Sequence, residues 1–106
     1  IMNSVEIMGR LGSRVVQKEL PSGDIATTFA VIVDRPIGEY VGTTKVDTMP
    51  CQTFRASVAK KVLTLEPGTA VNCTGVLRRR FWKSQGGLGS ALEVEVRTLK
   101  RATQAR

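Results

Sequence analysis

Three side chains near the middle of the chain carry the strongest chemical signal: Arg78, Arg80 and Trp82, in the run Val71-Asn72-Cys73-Thr74-Gly75-Val76-Leu77-Arg78-Arg79-Arg80-Phe81-Trp82. A strand alternates its side chains, so these three share one face. Guanidinium groups neutralise phosphates, and a flat indole stacks on an unpaired base. A duplex hides its base faces, so such a surface points to single strands. The alternative is a solvated, charged strand end with Trp82 tucked into the core. The two readings differ in whether the indole is accessible.

Other chemistry is poorly provided for. The chain has no histidine, hence neither the commonest general base nor the commonest transition-metal ligand. Two cysteines, Cys51 and Cys73, do not complete a four-ligand zinc site, and a cysteine nucleophile would lack its imidazole partner. Gly86, Gly87 and Gly89 lack the Lys-Ser/Thr ending of a phosphate-binding P-loop, and the carboxylates are scattered. Neither an enzyme activity nor a cofactor or metal is expected.

Composition narrows the partner. The chain has 106 residues, enough for one domain, and 42% hydrophobic content, ordinary for a globule. Sixteen Lys+Arg against nine Asp+Glu leave a net charge of +7, which favours polyanions, nucleic acid above all. No apolar run approaches the roughly 18 residues that span a bilayer, so no membrane partner is expected. The N-terminus lacks the charged-then-apolar pattern of a secretory signal; Met2 reads as the natural start. Both cysteines lie among strand-like residues, and a reducing cytoplasm makes them free core hydrophobes rather than a disulfide.

The elements that must position Arg78, Arg80 and Trp82 follow from periodicity. Val5, Ile7, Gly9 and Leu11 alternate with Glu6, Met8 and Arg10 as a half-buried first strand, bent at Gly9 or Gly12 and continuing over Val15–Leu20. Pro21-Ser22-Gly23-Asp24 is a turn. Ile25–Val33 is the second strand, with two apolar or neutral faces, as suits cover on one side and another subunit on the other. Arg35–Val46 reads as a long exposed loop or β-ribbon, where Arg35, Tyr40 and Lys45 bring charge and a ring. Asp47–Arg55 is the third strand, with Pro50 marking an edge, an end or a bulge. Val58, Val62 and Leu65 fall on one face of a helix over Ala56–Leu65, ended by Pro67-Gly68. Thr69–Trp82 is the fourth strand and Lys83–Ser90 a glycine-rich hairpin loop. Ala91–Leu99 is the fifth strand, with Leu92, Val94 and Val96 facing in and Glu93, Glu95 and Arg97 out. This order, β-β-β-α-β-β, describes an all-β chain with one short helix, the five-stranded Greek-key barrel of the OB-fold. The domain covers residues 2–99, and residues 100–106 form a short basic tail.

The chain resembles the bacterial single-stranded DNA-binding proteins. The opening Met2-Asn3-Ser4-Val5-Glu6-Ile7-Met8-Gly9-Arg10-Leu11-Gly12, the turn at Leu20-Pro21-Ser22-Gly23, Phe54, and Pro67-Gly68-Thr69-Ala70-Val71 follow the family's order and spacing. Gly75-Val76-Leu77-Arg78-Arg79-Arg80-Phe81-Trp82 completes the set. The resemblance implies sequence-independent binding of single-stranded DNA in replication, recombination and repair, by a homotetramer in the cytoplasm, on the nucleoid. It implies stacking by Phe54 and Trp82, with Arg78 and Arg80 as basic positions beside Trp82; Arg10, Arg35, Tyr40 and Lys45 complete the candidate set. Thr48 stands where many members carry a further tryptophan, so one platform is missing. Members also continue into an acidic tip that recruits replication and repair proteins. Here the sequence given closes on basic residues, which leaves that recruitment in doubt.

A different class fits the same fold: a primosomal or other replication-assembly protein acting through protein contacts, usually as a dimer. Solution mass separates the two. DNA and RNA are not distinguished, because stacking and phosphate contacts do not sense the 2′-hydroxyl.

Overall fold

A computed structural model describes residues 1–103. It contains β1 (Val5–Leu11), β2 (Val16–Glu19), β3 (Ile25–Asp34), β4 (Val46–Thr53), α1 (Ala56–Thr64), β5 (Ala70–Ser84) and β6 (Gly87–Arg101). The expected bend splits the first strand into β1 and β2, and both halves pair antiparallel with β3. The sheet runs β1-β5-β6-β4-β3-β2, and the additional β1–β3 pairing closes it into a barrel. All neighbours are antiparallel except β4 and β6, which run parallel at Cys51–Val94 and Gln52–Glu95. This is the OB-fold topology.

Closure depends on Gly9. Its backbone passes so near β3 that a Cβ there would stand 2.3 Å from the Ile32 carbonyl oxygen. Only glycine lets β1 leave β5 and join β3 at Arg10–Ile32 and Leu11–Val31. Pro50 sits inside β4 opposite Ala30, just before β6 begins to pair at Cys51. Its missing N–H therefore falls where that side of the strand is still an edge, as the sequence suggested.

The core gathers Leu11, Phe29, Val31, Cys51, Val71, Cys73, Val94, Val96 and Leu99 from the strands, and Val58 and Val62 from the helix that plugs the barrel. Leu65 packs against them from the helix C-cap. Cys51 and Cys73 are free and fully buried. Burial, and after it the neighbouring Cys73, push the Cys51 thiol up to about 12. Burial alone pushes Cys73 up to about 11.

Three expectations need correction. The glycine-rich stretch is mostly strand: β5 runs through Ser84 and β6 starts at Gly87, leaving Gln85-Gly86 as the turn. Leu92 is half exposed, because the hairpin has outrun the barrel there and nothing lies beneath it, and Glu93 is buried. Lys100 and Arg101, expected in the tail, belong to β6. The remaining tail residues 104–106 lie outside the described ones.

Candidate nucleic-acid interface

The β5–β6 hairpin is the element that builds the site. Its ladder runs from Val71–Arg101 in the barrel out to Ser84–Gly87 at the tip. Directly paired residues share a face, so Arg78–Glu93, Arg80–Ala91 and Trp82–Gly89 line up on the hairpin's outer side. The alternation expected for Arg78, Arg80 and Trp82 is therefore present.

Trp82 does not stand upright on the sheet. A Cβ on Gly89 would lie 2.5–2.6 Å from the indole atoms Cε2, Cζ2 and Nε1. The ring is thus laid across the bare backbone of the opposite strand, a seat that only glycine provides. The Arg80 guanidinium carbon is 5.7 Å from the ring centroid, within cation–π range. Trp82 remains 41% exposed, so the indole is not sealed in the core.

The arginines alternate with carboxylates. Arg78 Nε is 3.1 Å from Glu95 Oε1, Arg80 Nη1 is 3.9 Å from Glu93 Oε2, and Arg97 Nε is 3.7 Å from Glu95 Oε2. The hairpin thus carries an ordered ladder of charge that ends at the indole. In each pair the guanidinium is about half exposed while the carboxylate is largely covered, Glu93 most of all.

Between the hairpin tip and the outer face of β2, β3 and β4 lies a cleft of about 850 Å³. Arg80, Phe81 and Trp82 form one wall, and Arg14, Lys18 and Gln52 stand on the other elements around it. Phe81, 67% exposed, gives the cleft a second exposed ring beside Trp82. Thr48 lines the cleft, so the position where the sequence lacks a tryptophan belongs to its wall. Sequence reasoning missed Arg14, Lys18 and Phe81. The signal for Lys18 was the pairing of β2 with β3, Lys18 to Ala26, which puts it beside the cleft-lining strand face. Phe81 alternates to the other face of β5, and only the shape of the hairpin tip returns it to the cleft.

The other candidates lie elsewhere. Phe54 follows β4 and is 45% exposed, not a core residue. It lines a separate apolar groove of about 490 Å³ with Ile25, Lys60 and Leu63. Arg35 grips Asp47 at both ends, Nε to Oδ2 at 3.0 Å and Nη2 to Oδ1 at 2.8 Å, and pins the base of the 35–45 loop. That guanidinium holds the Asp47 carboxyl below the usual carboxylate range. Lys45 Nζ sits 5.7 Å from the Tyr40 ring centroid within the same loop. Arg10 Nη1 is 2.8 Å from Asp34 Oδ2 across the β1–β3 junction. None of Phe54, Arg35, Tyr40, Lys45 and Arg10 lines the Trp82 cleft.

Comparisons with known proteins agree with this fold. Single-stranded DNA-binding protein A of Bacillus subtilis (strain 168) is 26% identical over 87 residues, 82% of this chain and 51% of that protein. The chain spans about half the length of that curated relative. A solved structure described as "Plasmodium falciparum SSB complex with ssDNA" superposes with a TM-score of 0.80 at 18% identity, covering 97% of this chain and 96% of that one. At that identity the likeness concerns the fold. The model of the single-strand binding protein family matches residues 2–102, nearly the whole chain, and the chain belongs to that family.

Proposed function

We propose that this chain binds single-stranded DNA without sequence preference, stacking bases on Trp82 and neutralising phosphates with Arg78 and Arg80. One observation carries the reading: an accessible indole, laid flat on Gly89 beside the Arg80 guanidinium, at the wall of a wide cleft. The net charge of +7 supports a polyanionic ligand, and family membership supports a single strand. The same reading assigns the chain to DNA replication, recombination and repair, and to the compartment that holds the DNA. Among the described residues no helix is long and apolar enough to cross a membrane. A homotetramer is the assembly we assign, with Phe54 a second stacking ring.

Trp82 is the only tryptophan, so its emission reports directly. Titration with oligo-dT is expected to quench it, and a duplex of equal length is expected to bind far more weakly. Trp82→Ala is expected to cost roughly 1–3 kcal/mol of affinity, one base–aromatic stack. Full affinity in that variant would remove the cleft from the account.

The exposed apolar groove at Ile25, Phe54 and Leu63 favours a second reading, an assembly protein that works through protein contacts. A dimer in solution, with weak oligo-dT binding, would favour it.

A further inference from the structure

The β5–β6 hairpin carries Trp82 away from the core that could steady it. Over 70–76 β5 is buried or half-buried, but from Leu77 to Ser84 every residue is exposed. β1 accompanies β5 only as far as Val5–Gly75, and beyond that point β5 pairs with β6 alone among the described strands. The change falls on an irregularity. The β5–β6 register shifts between Thr74 and Gly75, and a Cβ on Gly75 would collide with the Glu95 carbonyl. A bulge bends and twists the strand that contains it. The hairpin therefore leaves the barrel at a bend, with one edge of β5 open just past it.

Asn3 stands at that edge. It precedes β1, yet the β1–β5 register carried two residues past Val5–Gly75 sets it opposite Leu77. Its side chain does there what a strand backbone would do. The Leu77 N–H donates to Asn3 Oδ1 at 2.8 Å, and Asn3 Nδ2 donates to the Leu77 carbonyl oxygen at 2.8 Å. A carboxamide holds a donor and an acceptor side by side, the groups a neighbouring strand presents. The first hairpin residue outside the barrel is thus gripped at both of its backbone polar groups. From Leu77 to Trp82 the strand runs about 17 Å. A swing of about 10° at Leu77 then carries the indole about 3 Å, far beyond the reach of a van der Waals contact.

We propose that Asn3 is a positioning residue for nucleic-acid binding: it clamps the root of the hairpin and so aims Trp82, without touching the bound strand itself. The inference rests on the proposed function, because it concerns the same site. Without the clamp the hairpin samples directions in which the ring no longer faces the cleft, and affinity falls with the fraction of molecules that stay aimed.

The test compares Asn3→Ala, which removes both hydrogen bonds, with Ser4→Ala as the neighbouring control, each in the full chain. Trp82 is the only tryptophan, so time-resolved anisotropy of its emission reads the hairpin directly. In Asn3→Ala this anisotropy is expected to decay faster. Amide exchange is expected to accelerate at Leu77 and along the hairpin, but not at Val71 and Cys73 in the barrel. Urea midpoint and solution mass are expected to stay close to the parent. Affinity for oligo-dT is expected to fall about 3- to 10-fold, as when the aimed fraction drops to between about a third and a tenth. In a Trp82→Ala background the same change is expected to cost at most about twofold, because the two residues act through one platform. Ser4→Ala is expected to match the parent throughout.

Unchanged anisotropy overturns the proposal, whatever the affinity does. Equal losses of affinity with and without Trp82 overturn it too, and make Asn3 a direct contact of the strand. A lower urea midpoint with faster exchange throughout β1 and β5 gives Asn3 to fold stability, and a changed solution mass gives it to subunit contact; either result overturns the aiming role. A parent that fails to bind oligo-dT sinks the proposed function and this inference with it. A parent that binds, with Asn3→Ala binding equally well, sinks the inference alone.

Discussion

The seat of Trp82 is a two-residue device. The ring belongs to one strand and the empty space beneath it to the other, so Gly89 is as much part of the proposed platform as the indole. Gly89→Ala places a methyl group where the ring lies, and the ring must swing away. Affinity for oligo-dT is then expected to fall by part of the roughly 1–3 kcal/mol of a base stack, with a shift in Trp82 emission. In a Trp82→Ala background the same change is expected to cost nothing further. Equal losses in both backgrounds would show that Gly89 matters only for the hairpin. At this scale the sequence was legible where one strand's alternation decided the matter, as for Arg78, Arg80 and Trp82. It was not legible where a role needs two strands brought together. Glycines in a row read as loop because their backbone is permissive; here one of them makes room for a ring.

Among the elements, β1 and the β5–β6 hairpin do the positioning. β1 must change partners, and at Gly9 the neighbouring carbonyl belongs to backbone, which yields little. Gly9→Ala is expected to destabilise the fold by about 1–3 kcal/mol, the usual size of overpacking, seen as a lower urea midpoint with an unchanged slope. Gly86→Ala, with open space around it in the hairpin turn, is the matched control and is expected to be near neutral. Element order, the lone helix and the edge character of Pro50 could all be read from periodicity and proline chemistry. The reach of the hairpin could not. Leu92 continues the alternation of Val94 and Val96, and only the end of the barrel beneath it decides that it faces water.

For the molecule as a whole, composition pointed to a basic binding module with buried thiols, while the places where its cations gather needed the folded chain. The thiols make stability depend on pH. Their ordinary value is 9.0, and the fold raises Cys51 to about 12 and Cys73 to about 11. Below pH ~9 both states keep these protons and the thiols contribute no pH dependence. Between pH ~9 and ~12 the unfolded chain releases them first, so stability falls as pH rises. Urea midpoints at pH ~8 and ~10.5 are expected to drop less in Cys51→Ala/Cys73→Ala than in the parent; equal drops would assign the decline to other groups. The ladder of Glu93 and Glu95 between the hairpin arginines has a further consequence. On the proposed function, an incoming phosphate does not meet vacant guanidinium groups at Arg78 and Arg80 but must evict a resident acid from each of the two. Engagement is thus an ion swap in which added electrolyte weakens the old partnership along with the new, and a strand that lets go finds its replacement already covalently tethered beside it.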